Sequence, residues 1–409
     1  MSEAPSASLA AEEPSFRVPA GEIAGRLARL QEAMQAAGLE AVFLVQTVDR
    51  FYFSGTAQDA FLFVPAEGPP LLFVRRFAPR AREESPLAEI LPIESVRRIP
   101  VLLKERLGRL PARLGLELDV LPVNDFRFWR GLLEPRECPD ASPLLLRLRG
   151  RKSAWEIARL EETAEMSART FAHMREILAP GVTEMEFAAR AEAYARGLGH
   201  AGLLRVRGFN ALGYPGHVLS GPNGGRPGML DAPASGSGTS CAFPAGAGPR
   251  RLRPREPILV DFGSVKNGYH LDEARMFAIG GLPPEAHSAC RVAILIHDRL
   301  IAAARPGVTA GALFEEALRL AGEMGLAEAF LGPPGHKVRF VGHGIGLELV
   351  EPPFLARGHK TPLEEGMVFA LEPKLVFEGR FAAGVESVFV VTAAGGRLIS
   401  RVPVDVFLC

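Results

Sequence analysis

Apolar residues at Ile23, Leu27, Leu30 and Met34 recur at helical spacing and predict a helix over 22–37. Gly38 is placed to end it. The runs 41–45, 60–64 and 71–74 read as short buried strands, the last two joined by the turn-forming stretch Pro65-Ala66-Glu67-Gly68-Pro69-Pro70. Together these predict an α/β domain over 20–150. Ahead of it, residues 1–19 are acidic, small and proline-rich, which predicts a disordered lead. The turn-rich segment 135–143 reads as a linker. Asp49, Arg50, Tyr52 and Asp59 are assigned to surface or core rather than to a site.

The pattern of the second part, 151–409, repeats. Ser153-Ala154-Trp155-Glu156 has the form of a capping box opening a long helix to about 178. Pro180-Gly181-Val182-Thr183 follows, then a helix and Gly199. The same tetrapeptide returns at Pro306-Gly307-Val308-Thr309, preceded by a helical run over 285–304 and followed by a helix and Gly325. Acid-bearing β segments follow each copy. This predicts an internal duplication: two αα/β halves, 151–280 and 281–409, packed as one curved sheet with helices outside, an α+β architecture.

The acids sit in telling places. Ile258-Leu259-Val260 runs into Asp261, Asn267-Gly268 supplies a hairpin turn, and the return strand carries Asp272. The second half carries Glu372 in FALEPKL, Glu386 in AGVESVFVV and His343 within Val341-Gly342-His343-Gly344-Ile345-Gly346. Acids beside apolar strands are costly to bury unless neutralised. Four carboxylates and one imidazole suit two divalent ions, Mn²⁺ or Co²⁺ first, with Zn²⁺ and Fe²⁺ also accommodated. Such a pair, about 3.5–4 Å apart, can activate a bridging water and polarise a carbonyl.

Composition narrows the partners. Lys+Arg and Asp+Glu balance at 47 each, so no net field draws the chain to nucleic acid or to an anionic membrane. Cys138, Cys241, Cys290 and Cys409 are scattered, which suits a reducing compartment, and the N-terminus has no signal-peptide pattern; a cytoplasmic location is expected.

In order and spacing, VDFG, GYHLD, GHGIGLE, LEP and GVE resemble the motifs of the creatinase/prolidase/aminopeptidase P metallopeptidases. The resemblance covers about 20–409. It implies a creatinase-type N-terminal domain before a pita-bread catalytic domain, and an Xaa-Pro dipeptidase-like hydrolase in which a metal-bridging water attacks the amide carbonyl of a small peptide. By position it implies Asp261, Asp272, His343, Glu372 and Glu386 as ligands of two ions, with Glu372 also carrying a proton. It further implies a homodimer.

The chain departs from that pattern around the ligands. The two histidines that hold substrate in the family are here Gly228 and Val350. The family's Thr and Arg at two other positions are Ala274 and Gly384, Ser387 replaces an Asp, and Arg275 remains. His217 and Arg226 are candidate replacements, so His217 and Arg275 join Glu372 as candidate catalytic residues, with His217, Gly228 and Val350 at the substrate positions. His270 is a candidate supporting group. His200, His287, His297, His336 and His359 are assigned structural or surface roles. The Gly/Pro/Ser-rich stretch 221–248 reads as a mobile loop over the mouth of the site. The departures leave two alternatives: a non-peptidase enzyme acting on another small metabolite, and a regulatory protein that keeps its metal for stability.

Overall fold

The computed structural model describes residues 16–208, 211, 213 and 216–409. The lead expected over 1–19 lies outside the described residues up to 15. The chain divides into two compact units after Leu148.

In the first unit, α1 (Ala20–Ala36) buries Ile23, Leu27, Leu30 and Met34, the stripe read from the sequence, and Gly38 ends it at φ +64°. It is followed by β1 (Ala41–Leu44), α2 (Thr47–Ser54), β2 (Ala60–Pro65), β3 (Leu71–Val74), α3 (Ala78–Glu84), β4 (Glu89–Pro92), α4 (Ile99–Leu107), β5 (Leu114–Gly115), α5 (Val123–Leu133) and α6 (Ser142–Gly150). The strands form one sheet in the order β4-β3-β2-β1-β5. Asp49, Arg50 and Tyr52 are core residues: Arg26 lies 4.1 Å over the Tyr52 ring, and Arg50 donates to the carbonyls of Val45 and Gln58. The expected linker at 135–143 is instead built into the fold. Glu137 and Asp140 bridge to Arg113 and Leu116 beside the sheet edge, and Ser142 opens α6.

The second unit contains the repeat. α7 (Ala154–Ile177) begins with the Ser153–Glu156 capping box, and α8 (Glu184–Gly197) with a second box at Thr183 and Glu186. Strands β6 (Gly216–Ser220), β7 (Ile258–Lys266) and β8 (Tyr269–Ala278) complete the first half. Asn267 and Gly268 turn the β7–β8 hairpin with φ of +53° and +83°, the double positive that such a turn requires. The second half repeats the order with α9 (Pro284–Ala303), α10 (Ala310–Glu323) capped by Thr309, and β9 (Phe340–Gly344), β10 (Glu351–Ala356), β11 (Val368–Leu371), β12 (Lys374–Phe377), β13 (Phe381–Gly384), β14 (Ser387–Thr392) and β15 (Gly395–Leu398). Thr183 and Thr309, equivalent in the two tetrapeptides, are both N-caps. One feature breaks the symmetry: the terminal strand β16 (Val406–Leu408) crosses back and pairs in parallel with β8.

The sheets β16-β8-β7-β6 and β10-β9-β11-β14-β15 meet where Ala274 and Glu386 exchange backbone hydrogen bonds of 3.2 and 3.0 Å. One apolar core runs beneath both, joining Leu219, Leu259 and Met276 to Phe369, Leu371 and Phe389 under α9 and α10. Burying each such side chain contributes about 1.5–3 kcal/mol, so this shared core stabilises the packing of the two sheets at the seam.

Candidate metal centre

Asp261 lies opposite Ala274, and Asp272 opposite Gly263, so the two acids are diagonal neighbours on one face of the β7–β8 hairpin. His217 on β6 is directly across from Asp261. From the other sheet, His343 on β9 faces Ala370 on β11. Glu372 follows the last residue of β11 and Glu386 precedes the first of β14, where these strands pair through Leu371 and Ser387. The seam therefore brings the two acids of each half to one place. Asp272, His343, Glu372 and Glu386 are all buried.

A sixth residue, absent from the sequence reading, stands among them. Lys374 Nζ donates to Asp261 Oδ2 at 2.7 Å, Glu372 Oε2 at 2.9 Å and Glu386 Oε2 at 2.7 Å. These three bonds use all three ammonium donors. Burial pulls the ammonium down, but Asp261, Glu372 and Glu386 outweigh it and hold Lys374 well above the usual lysine range. Burial likewise opposes ionisation of Asp261, yet Lys374 and His217 keep that carboxyl below its ordinary value. Asp272 and Glu386 go the other way. Burial, then the charge of Asp261 on the first and of Asp272 on the second, push both well above the carboxylate range. One ammonium is not enough for the negative charge gathered here. His217 is lowered by burial, against the pull of Asp261.

The donor set fits a divalent ion at one position. Asp272, His343 and Glu386 offer ligand atoms within 4.8 Å of one another. Glu386 Oε1 is buried with no hydrogen-bond partner among the described residues, so one lone-pair-bearing atom already lacks what an ion would supply. The rest of the expected ligand set, Asp261 and Glu372, is engaged by Lys374.

The surroundings hold this arrangement. His270 accepts from Arg205 N–H through Nε2 at 3.0 Å and donates from Nδ1 to Gly346 O at 3.1 Å, tying the segment after His343 to β8. Burial lowers its pKa to about 4, so the ring stays neutral. Arg149 donates to Glu348 at 2.8 Å and to Glu351, Lys152 donates to Glu351 at 2.9 Å, and the turn 348–351 closes through Glu348 N–H to Glu351 at 3.0 Å.

Comparison with known proteins identifies the family. Residues 158–393 match the sequence profile of metallopeptidase family M24, and residues 26–150 that of the creatinase/prolidase N-terminal domain. The chain belongs to metallopeptidase family M24. It is 30% identical over 407 residues to the probable dipeptidase PepE of Mycobacterium tuberculosis, covering 95% of this chain and 97% of that protein. It is 24% identical over 381 residues to the Xaa-Pro dipeptidase of Pyrococcus furiosus, covering 92% and 97%. Among solved structures, the Xaa-Pro dipeptidase from Bacillus anthracis superposes with a TM-score of 0.81 at 23% identity, over 95% of this chain and 100% of that one. The dipeptidase PepE from Mycobacterium ulcerans gives 0.78 at 26% identity, over 96% and 99%. This M24 chain is thus a pita-bread metallohydrolase by family, with a creatinase-type N-terminal domain. Family membership implies divalent metal ions.

Not every candidate residue joins the centre. Arg275 points to the opposite face of β8, where its guanidinium donates to the carbonyls of Ala274, Glu386, Val402 and Pro403. It positions Glu386 and does not face the reacting atoms, a correction to its candidate catalytic role. Gly228 packs inside the 221–248 loop, where a Cβ would come within 2.7 Å of Ser235 Cβ. Val350 precedes the buried Glu351 and lies outside the donor set. Arg226 reaches Ser237 within the loop. His200 is structural, accepting from Val265 N–H.

The loop itself is pinned. Buried Glu184, at the start of α8, accepts from Ser220 N–H and Oγ, Asn223 Nδ2 and Gly248 N–H at 2.6–3.0 Å. Glu184→Ala would leave those donors without their acceptor. A loss of about 3 kcal/mol is expected, read as a fall of about 6–12 °C in Tm. An unchanged Tm would show that the loop does not depend on this anchor.

Proposed function

We propose that this chain is a metal-dependent hydrolase of the C–N bond in small peptides, acting in the manner of an Xaa-Pro dipeptidase. The observation that carries this reading is the convergence of Asp261, Asp272, His343, Glu372 and Glu386 at the seam between the two halves. A divalent ion held by Asp272, His343 and Glu386 would supply a hydroxide near neutral pH and a Lewis acid for the carbonyl. Carboxylates with one imidazole favour Mn²⁺ or Co²⁺ for that role. Glu372, with one oxygen on Lys374 and the other 3.8 Å from His343 Nε2, is the group assigned to take up the proton. His217, across the ladder from Asp261, is assigned to substrate contact.

A second reading is favoured by Gly228 and Val350. Neither position can donate a side-chain hydrogen bond to substrate, so the scaffold would act on a small metabolite other than a dipeptide. Loss of one preorganised donor costs about 10²–10³ in rate. A panel of Xaa-Pro and other dipeptides, assayed with added Mn²⁺ or Co²⁺, separates the two. Turnover of Xaa-Pro dipeptides that EDTA abolishes is the expected result. No turnover of any dipeptide by metal-loaded protein would move the assignment to the second reading.

A further inference from the structure

We infer that Lys374 is a built-in cation standing where one of the two metal ions expected at these donors would otherwise sit, so that the centre takes one divalent ion beside an ammonium. The inference rests on the M24 reading of the site but concerns how many ions it holds, whatever the substrate.

Three observations carry it. First, Nζ lies 2.7–2.9 Å from an oxygen of Asp261, Glu372 and Glu386, a shared point of coordination by three carboxylates. An ion bound at those oxygens would have to expel the ammonium into a buried region, because the Lys374 side chain is only 4% exposed. Second, the strand is built to admit the side chain. Lys374 pairs with Gly384 across the β12–β13 ladder, and a Cβ on Gly384 would come within 2.6 Å of Lys374 Cγ and 3.1 Å of its Cα and Cβ. The 2.6 Å contact is shorter than Cβ atoms make and the 3.1 Å contacts are tight, so the stem of Lys374 lies along a path that glycine leaves open. Third, what remains after Lys374 has taken its partners is one complete site. Glu386 gives Oε2 to the lysine and keeps Oε1 unpartnered beside Asp272 and His343.

The charges follow the same division. Asp261, Asp272, Glu372 and Glu386 carry four negative charges when ionised, and two divalent ions would neutralise them. One divalent ion and one ammonium supply three positive charges. The ammonium cannot lower the pKa of a bound water as an ion does. Its part is to hold Asp261, Glu372 and Glu386 in place and balance their charge.

The test counts metal. Full-length protein, stripped with chelator and dialysed against excess Mn²⁺, is measured by native mass spectrometry and elemental analysis alongside Lys374→Met and Gly384→Ala. The expected result is one ion per chain for the unaltered protein and two for Lys374→Met, with Gly384→Ala also rising because the lysine loses its path. Circular dichroism shows which variants fold. Gly384→Ala keeps every charge, so it answers the question even if Lys374→Met does not fold. Equal counts in the unaltered protein and the folded variants would overturn the inference. Failure to hydrolyse dipeptides would bear on the substrate and leave the difference in counts untouched.

Discussion

His343→Ala is expected to strip the divalent ion from the centre and to lower hydrolysis about 10³-fold or more. His343 is the one nitrogen donor among Asp272, His343 and Glu386. Its Nδ1 lies 2.9 Å from the Gly344 carbonyl. That contact fixes the tautomer with Nδ1 protonated and leaves Nε2 as the ligand atom, a common way of orienting a metal-bound imidazole. Removing the ring leaves Asp272 and Glu386, whose pKa values burial, then the charge of Asp261 on the first and of Asp272 on the second, already push well upward. Two such carboxyls can share a proton in place of an ion. The measurement is Mn²⁺ affinity by calorimetry together with kcat/KM on whichever substrate is turned over. Undiminished affinity in a folded His343→Ala protein would remove this residue from the ligand set.

Glu351→Ala is expected to cost about 3–5 kcal/mol of stability, because it leaves Arg149 and Lys152 as buried cations without their shared carboxylate. Burial pushes the Glu351 carboxyl up, but Arg149 and Lys152 outweigh it and hold its pKa at about 2. The sign follows from that depression. In the unfolded chain the group titrates near 4.5, so its contribution is complete above that pH. It is lost as pH falls from about 4.5 through about 2, in total about 3 kcal/mol. Urea unfolding of the intact protein from pH 6 to pH 3 should show stability dropping across this acid window, with Glu351→Gln giving a shallower slope there. Parallel slopes for the two proteins would assign the acid sensitivity to other carboxylates. The effect reaches the centre through geometry, since the turn 348–351 leads into β10, which pairs with the strand carrying His343.

Much of this was legible in the residues, for reasons that can be named. Thr183 and Thr309 flagged a duplication because a helix start needs a side-chain acceptor at the same place in each half. Asp261, Asp272, Glu372 and Glu386 stood out because acids beside apolar strands demand a counter-charge, and His343 because glycines flank it on both sides. Lys374 was missed although a simple rule could have found it. It lies two residues after Glu372 on extended backbone, so both side chains fall on one face. The two-residue parity that puts Asp272 and Arg275 on opposite faces of β8 applies equally to FALEPKL. Gly384, two before Glu386, is the companion signal, visible only once the β12–β13 register is known. Glu184 and the Arg149–Glu351 cluster were beyond reach, because their partners lie 36 and 202 positions away in sequence. The linker expected at 135–143 failed for a related reason. Turn-forming residues there end one element and begin another while their backbone still bridges to the sheet edge.

Anomalous X-ray diffraction from a crystal equilibrated with Mn²⁺ tests the shared centre most directly. The account predicts one anomalous peak per chain, bounded by Asp272, His343 and Glu386, with the Lys374 ammonium still between Asp261, Glu372 and Glu386. Two peaks, with Lys374 turned out of the site, would contradict it.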